Sequence, residues 1–243
     1  MAHRNQSDRD GAGLPGEMSG RLERRRFLQW TGAAAAMLAI GCDSATTTAP
    51  EVPLTASGKG PVTGGAASVT IDLSNDLGIL NFAYALEQLE AAFYTLVVSN
   101  FYNGGKAEEE QVFNDIKKHE VIHREFFKAA LGAAAIPTLS FDFSKINFKA
   151  RGRVLQLASD FEELGVSAYN GAAQYLQNTD YLVVAGKIVS VEARHASVIA
   201  DLRQPNGRSF APRAFDLARS PTEVLAMADP FIATQVTLAN APA

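Results

Sequence analysis

Apolar residues recur at intervals of three and four along four stretches of the chain, the spacing that lines one face of a helix. The first stretch can be capped by Ser74 or Asn75 and runs to about Ser99. Leu80, Ala83, Leu86, Phe93 and Val97 form its stripe, and Glu87 and Glu90 fall inside it. A tight turn at Asn103-Gly104-Gly105 leads into a second stretch from about Lys106 to Leu131, stopped by Gly132. Its inward positions are Val112 with Phe113, Ile116, Glu120, His123, Phe126 with Phe127, and Ala130. The third spans about Arg153 to Gln177, with Val154, Leu155, Ala158, Phe161, Glu162, Gly165, Tyr169 and Leu176 inward. The fourth follows a short turn at Asn178-Thr179-Asp180 and ends near Arg203, with Val184, Ile188, Val191, Glu192, His195, Ile199 and Leu202 inward.

The segment from Gly132 to about Gly152 shows no helical period. At about 3.3 Å per extended residue it is long enough to run the length of a helical bundle. Four helices joined short, long, short predict an all-α four-helix bundle with one crossover, between helices two and three. Ser220-Pro221-Thr222-Glu223 then has the form of a capping box with Pro at the first helical position, predicting a short helix to near Pro230 that packs over one end of the bundle.

The sequence before the bundle follows a different pattern. Arg24-Arg25-Arg26-Phe27-Leu28 precedes an apolar run from Trp30 to Gly41, too short for a membrane-spanning helix, which needs about 20 residues. A basic flank, a short apolar run and small residues at its end describe an export signal, and Arg24-Arg25 with Phe27-Leu28 resembles the twin-arginine type. Leu38 to Cys42 resembles a lipobox, with Cys42 as the lipidated first residue of the mature chain. That reading is favoured over a plain signal because the only cysteine stands where the apolar run ends. A lipid there would hold the protein at a membrane surface. Residues from Asp43 to Val69 are rich in Ala, Thr, Pro, Ser and Gly and read as a flexible tether. The expected organisation is therefore signal and lipobox at 1–42, linker at 43–70, bundle at 71–204 and C-terminal extension at 205–243.

Composition narrows the function. Hydrophobic residues make up 47% and the mean hydropathy is near zero, as in a chain with a buried core. Net charge is −4. Lys and Arg outnumber Asp and Glu between Met1 and Cys42, so the rest of the chain is more acidic than the total suggests. It lacks a basic stripe, which argues against nucleic-acid binding. A single cysteine excludes an internal disulfide.

The chemistry lies in an echo. One constant shift of the sequence against itself lays Glu90 on Glu162, Glu120 on Glu192 and His123 on His195, with apolar positions following. Each half then reads Glu followed, at the same interval, by Glu-x-x-His, the ligand set of carboxylate-bridged dimetal bundles. Four inward carboxylates are costly to bury unless cations neutralise them, and two divalent ions would. Carboxylate and imidazole donors suit Fe or Mn, and Zn as well. The same shift sets Glu87 on Ser159, His119 on Val191 and Glu163 on Ala91, so Glu87, His119 and Glu163 are expected beside the ligands and not among them. Tyr94 and Tyr169 lie on the metal-facing sides of their helices, where plain core tyrosines are favoured over partners of a ligand carboxylate or a radical relay.

With the segments Leu80–Tyr94, Phe161–Tyr169 and Val191–Ala196, the chain resembles the ferritin-like superfamily, in particular exported proteins of the desiccation-related type. The resemblance implies that Glu120 and Glu192 bridge two Fe or Mn ions, that Glu90 and Glu162 are terminal, and that His123 and His195 each serve one metal. It also implies an oxidoreductase acting on O2 or H2O2 in the periplasm or cell envelope, lipid-anchored, with no nucleic-acid partner and room for a homo-oligomer. A non-enzymatic, stress-protective metal protein is the alternative. The stretch from His119 to His123 also fits the H-E-x-x-H pattern of zinc peptidases, which leaves the echo at Glu192 and His195 without an explanation.

Overall fold

A computed structural model describes residues 68–207 and 209–242. Four long helices dominate it: α1 (Asp76–Ser99), α2 (Ala107–Leu131), α3 (Arg151–Ala172) and α4 (Thr179–Arg203). A short helix α5 (Pro221–Ala228) follows, and two four-residue strands, β1 (Val69–Asp72) and β2 (Val236–Ala239), flank the set. Among the described residues no helix is long and apolar enough to cross a membrane.

Local chemistry sets these boundaries. Asn75 caps α1 by accepting from the Gly78 N–H, and Asn178 caps α4 by accepting from that of Asp180. The Asp76 carboxylate accepts from the N–H groups of Gln177 and Asn178, 2.8 Å each, which pins the start of α1 to the α3–α4 turn. Gly132 ends α2 at φ 53°, a left-handed value that glycine adopts without strain. The capping box at Ser220 and Glu223 forms as expected, with Pro221 opening α5. The third helix closes earlier than its apolar pattern suggests, with a 3-10 turn at Ala173–Tyr175.

α1 packs along α2 and α3 along α4, and the two pairs face each other across a core that includes Phe93, Phe113, Phe127, Leu155, Phe161 and Ile199. Burying each such side chain contributes about 1.5–3 kcal/mol. Most of α1 is buried, because β1 and the crossover cover the face that the other helices leave free. Buried polar side chains on that face bind the crossover backbone. Asn81 donates to the Ala134 carbonyl and accepts from the Ile136 N–H, and Gln88 accepts from the Leu139 N–H. The crossover is thus irregular, and its backbone polar groups find side-chain partners.

The strands have no counterpart in the sequence reading, which gave Val69 and Thr70 to the linker. β1 pairs with β2 in parallel, Val69 opposite Val236 through Asp72 opposite Ala239. Val69, Ile71 and Val236 are buried, and this short alternation is too brief to stand out from neighbouring coil.

Candidate metal centre

Each of the four long helices contributes to one buried cluster. α2 carries Glu120 and His123, and α4 carries Glu192 and His195. The three-residue step in each pair puts both side chains on the inward face. Glu87 from α1 and Glu162 from α3 complete the set. Their donor atoms form two groups, each within 4.8 Å: Glu87, Glu120, His123 and Glu192 in one, Glu120, Glu162, Glu192 and His195 in the other.

The geometry has an approximate two-fold pattern. His123 Nδ1 lies 3.4 Å from Glu87 Oε2, 3.4 Å from Glu120 Oε2 and 3.1 Å from Glu192 Oε1. His195 Nδ1 lies 3.3 Å from Glu162 Oε2, 2.9 Å from Glu120 Oε1 and 3.8 Å from Glu192 Oε2. Glu120 and Glu192 therefore turn one oxygen toward each histidine. Glu87 and Glu162 offer one oxygen each, and their second oxygens accept hydrogen bonds from Tyr169 and Tyr94. The tyrosines cross over, each bonding a glutamate of the opposite helix.

These atoms fit a metal pair. Glu87 Oε2, both oxygens of Glu120 and of Glu192, Glu162 Oε2 and both Nδ1 atoms are buried without a hydrogen bond from any protein group. Buried polar atoms are almost always partnered, so eight that converge unpartnered on one volume call for a cation. Four carboxylates balance two divalent ions.

Within the protein alone, the groups distort one another's titration. Burial pushes Glu87 up to about 8 despite the opposing pull of His123, and raises Glu162 and Glu90 well above the carboxylate range. Burial acts the same way on Glu192, but the close imidazoles of His123 and His195 overcome it and hold that carboxyl down at about 2. Burial would depress His195, yet Glu162 and Glu120 push it up to about 12, and His123 rises for similar reasons through Glu87 and Glu120. Tyr94 and Tyr169 are raised well above normal, first by burial and then by Glu162 and Glu87, and keep their protons to donate.

The expected residues fall in different places. Glu120, His123, Glu162, Glu192 and His195 come together. Glu87, expected beside the ligands, stands in the first group. Glu90 is buried but belongs to neither group; its Oε1 lies 3.1 Å from where a Cβ would stand on Gly165. The difference is one of register. The structure matches Glu87, not Glu90, with Glu162 through equivalent tyrosine and histidine partners. α2 and α4 keep the match of Glu120 with Glu192. Glu90 then falls on Gly165. One signal in the sequence marks this register: a tyrosine stands at the same interval after the glutamate in both halves, Glu87 to Tyr94 and Glu162 to Tyr169.

His119 stays outside both groups. Its Nδ1 lies 2.9 Å from His195 Nε2, and the two rings stack at 5.1 Å. That contact turns His195 Nδ1 toward the carboxylates, the usual role of a partner to a metal-binding imidazole. His119 and His123 do not fall in one metal-capable group, whereas the zinc-peptidase pattern requires both around one ion. Glu163, expected beside the ligands, does not stand there. One residue beyond Glu162, it is turned away on the helix surface and pairs with Arg213 at 3.0 Å. Cys42 lies outside the described residues.

A cleft of about 470 Å³ opens between α2 and α4 above the histidines. Val112, Ile116, Ile122, Val191 and Val198 line it together with Asp115, His119, His123, Arg194 and His195.

The sequence model of the ferritin-like domain matches residues 75–205, more than half of the chain and all four long helices, so the chain belongs to the ferritin-like domain family. No curated protein matches it.

Proposed function

We propose that this ferritin-like chain is a dimetal-carboxylate oxidoreductase acting on O2 or H2O2 in the cell envelope. One observation carries the reading: eight buried, unpartnered donor atoms arranged as two four-residue groups that share Glu120 and Glu192. Glu120 and Glu192 would bridge the metals, Glu87 with His123 would complete one site, and Glu162 with His195 the other. Oxygen and imidazole donors suit Fe or Mn. When bound, such a pair supplies the one-electron steps by which a small oxidant is reduced.

The protein's own groups prepare the site. Tyr94 and Tyr169 hold the terminal glutamates by one oxygen each, fixing the direction of the other. His119 orients His195. The cleft between α2 and α4 is large enough to bring a molecule of the size of O2 or H2O2 to the histidine side. The export signal and the lipid on Cys42 belong to the same proposal, and would place the site on the outer side of a membrane.

Metal analysis after reconstitution with Fe(II) or Mn(II) should give about two ions per chain. A content below about one ion per chain overturns the dimetal reading. Consumption of H2O2, or oxidation of added Fe(II), no faster than with free metal would instead favour a protein whose ions only stabilise it.

A further inference from the structure

Three buried tyrosines donate hydrogen bonds to glutamates. Two of these pairs belong to the metal centre. The third, Tyr102 with Glu109, stands apart from it and has no part in the function argued above.

Tyr102 is 3% exposed, and its hydroxyl donates to Glu109 Oε2 at 2.7 Å. Arg151 grips the same carboxylate with Nε at 3.0 Å and Nη2 at 2.7 Å, and holds it ionised. A line of rings joins this pair to the centre. Tyr94, hydrogen-bonded to Glu162, lies 6.0 Å from Phe113 between ring centroids, and Phe113 lies 5.9 Å from Tyr102. Phe101 stacks on Tyr102 at 4.2 Å, lies 6.0 Å from Phe113 as well, and is only partly buried, so the ring cluster reaches the surface. Gly105 permits that stack, since a Cβ there would stand 2.4 Å from the Phe101 ring and 2.7 Å from the Tyr102 ring.

Aromatic packing alone needs no hydroxyl at position 102 and no buried carboxylate beside it. Elsewhere in the same core phenylalanine serves, at Phe93, Phe113 and Phe161. A phenol hydrogen-bonded to an ionised carboxylate is the arrangement in which loss of an electron and loss of a proton occur together, because the acceptor is already in place. Burial and then Glu109 raise the Tyr102 phenol, so it keeps its proton until it is oxidised.

We propose that Tyr102 is a redox-active residue connected to the metal centre through Phe113 and Tyr94, and that it gives up one electron when the centre reduces H2O2. The inference rests on the reading that the centre reacts with peroxide. H2O2 takes up two electrons and two protons from solvent and leaves as two waters. One electron comes from the metal pair and one from Tyr102. The O–H bond of Tyr102 breaks, its proton passes to Glu109, and the products are a neutral tyrosyl radical and the Glu109 acid. Phe101 is then the place where an external reductant would return the electron.

The test uses the metal-loaded full chain, mixed with one equivalent of H2O2 and frozen for electron paramagnetic resonance. A tyrosyl signal is expected, narrowed when the protein is grown with ring-deuterated tyrosine. Tyr102→Phe should lower it at least about fivefold at unchanged metal content, Tyr94→Phe should lower it likewise, and Tyr84→Phe, off the line of rings, should leave it intact. Should Tyr102→Phe fold poorly, a nitroso spin trap added to the wild-type reaction, followed by peptide mass mapping, should place the adduct on Tyr102. Peroxide consumption without a tyrosyl signal, a signal unchanged in Tyr102→Phe, or an adduct on other tyrosines overturns this inference alone. No peroxide consumption overturns this inference together with the H2O2 form of the functional reading, and leaves the O2 form to the Fe(II)-oxidation assay.

Discussion

At the scale of single residues, position along a helix decides role. Glu162 and Glu163 are neighbours in sequence; one faces the centre and the other faces water, because one residue is about 100° of helix rotation. Glu87 and Glu90 are three apart and share a face, so the apolar pattern does not choose between them. Only Glu87 stands in a metal-capable group, and the consequence is measurable. Glu87→Ala should reduce metal content by about one ion per chain, whereas Glu90→Gln should keep both ions, read by elemental analysis after loading. The clustered carboxylates also tie stability to metal. An ion that binds only the folded chain adds about 2.7 kcal/mol at a free concentration about 100 times its Kd. Removing metal with a chelator should therefore lower the melting temperature, and Glu120→Ala should shrink that shift.

At the scale of elements, much was legible. The four helices, the long crossover and the capping box of α5 follow from spacing, glycines and caps. Most of the residues gathered in the two metal-capable groups follow from the echo of Glu-x-x-His and a glutamate upstream; Glu87 is the exception. The register of α1 against α3 did not follow, and the reason is physical. A slip of about three residues is nearly one turn, so it preserves the stripe and shifts only which glutamate meets the site. The matched tyrosines carried the missing information. Gly165 is where this register leaves its mark. Alanine is the better helix former by about 1 kcal/mol, yet its Cβ would stand 3.1 Å from Glu90 Oε1. Gly165→Ala alone should bring no stability, and the same change in a Glu90→Ala background should add about 1 kcal/mol, measured by urea unfolding as a double-mutant cycle.

At the scale of the whole molecule, one end of the bundle is held by a polar junction. Arg151 at the start of α3 bonds Glu109 at the start of α2 and the Leu202 carbonyl near the end of α4, with Tyr102 from the loop after α1 joining in. Hydrogen bonds from Arg151 lead in holding the Glu109 carboxyl below its usual value against the opposing effect of burial. A carboxyl lowered on folding adds stability that is fully present above its unfolded pKa and is lost as pH falls through the folded value. The contribution should thus be intact at neutral pH and fade below the usual glutamate range of about 4.3. Glu109→Gln should flatten the acid limb of the melting-temperature profile, with chelator present to silence the metal centre. The same scale holds what no local pattern announced. β1 and β2 meet only because the fold brings residues 69 and 236 together, and their four-residue runs carry too little signal alone.

That parallel pair has a mechanical consequence. β1 is approached from the N-terminal side at Val69, and β2 departs at Ala239, so the two outer connections leave from opposite ends of the ladder. A force applied between residue 68 and residue 240 would drag the strands past each other along their length. The ladder bonds then share the force at once and do not peel apart in turn. A chain pulled from its N-terminal side, with its C-terminal side held, would meet this clasp in shear before any of the four helices is stretched.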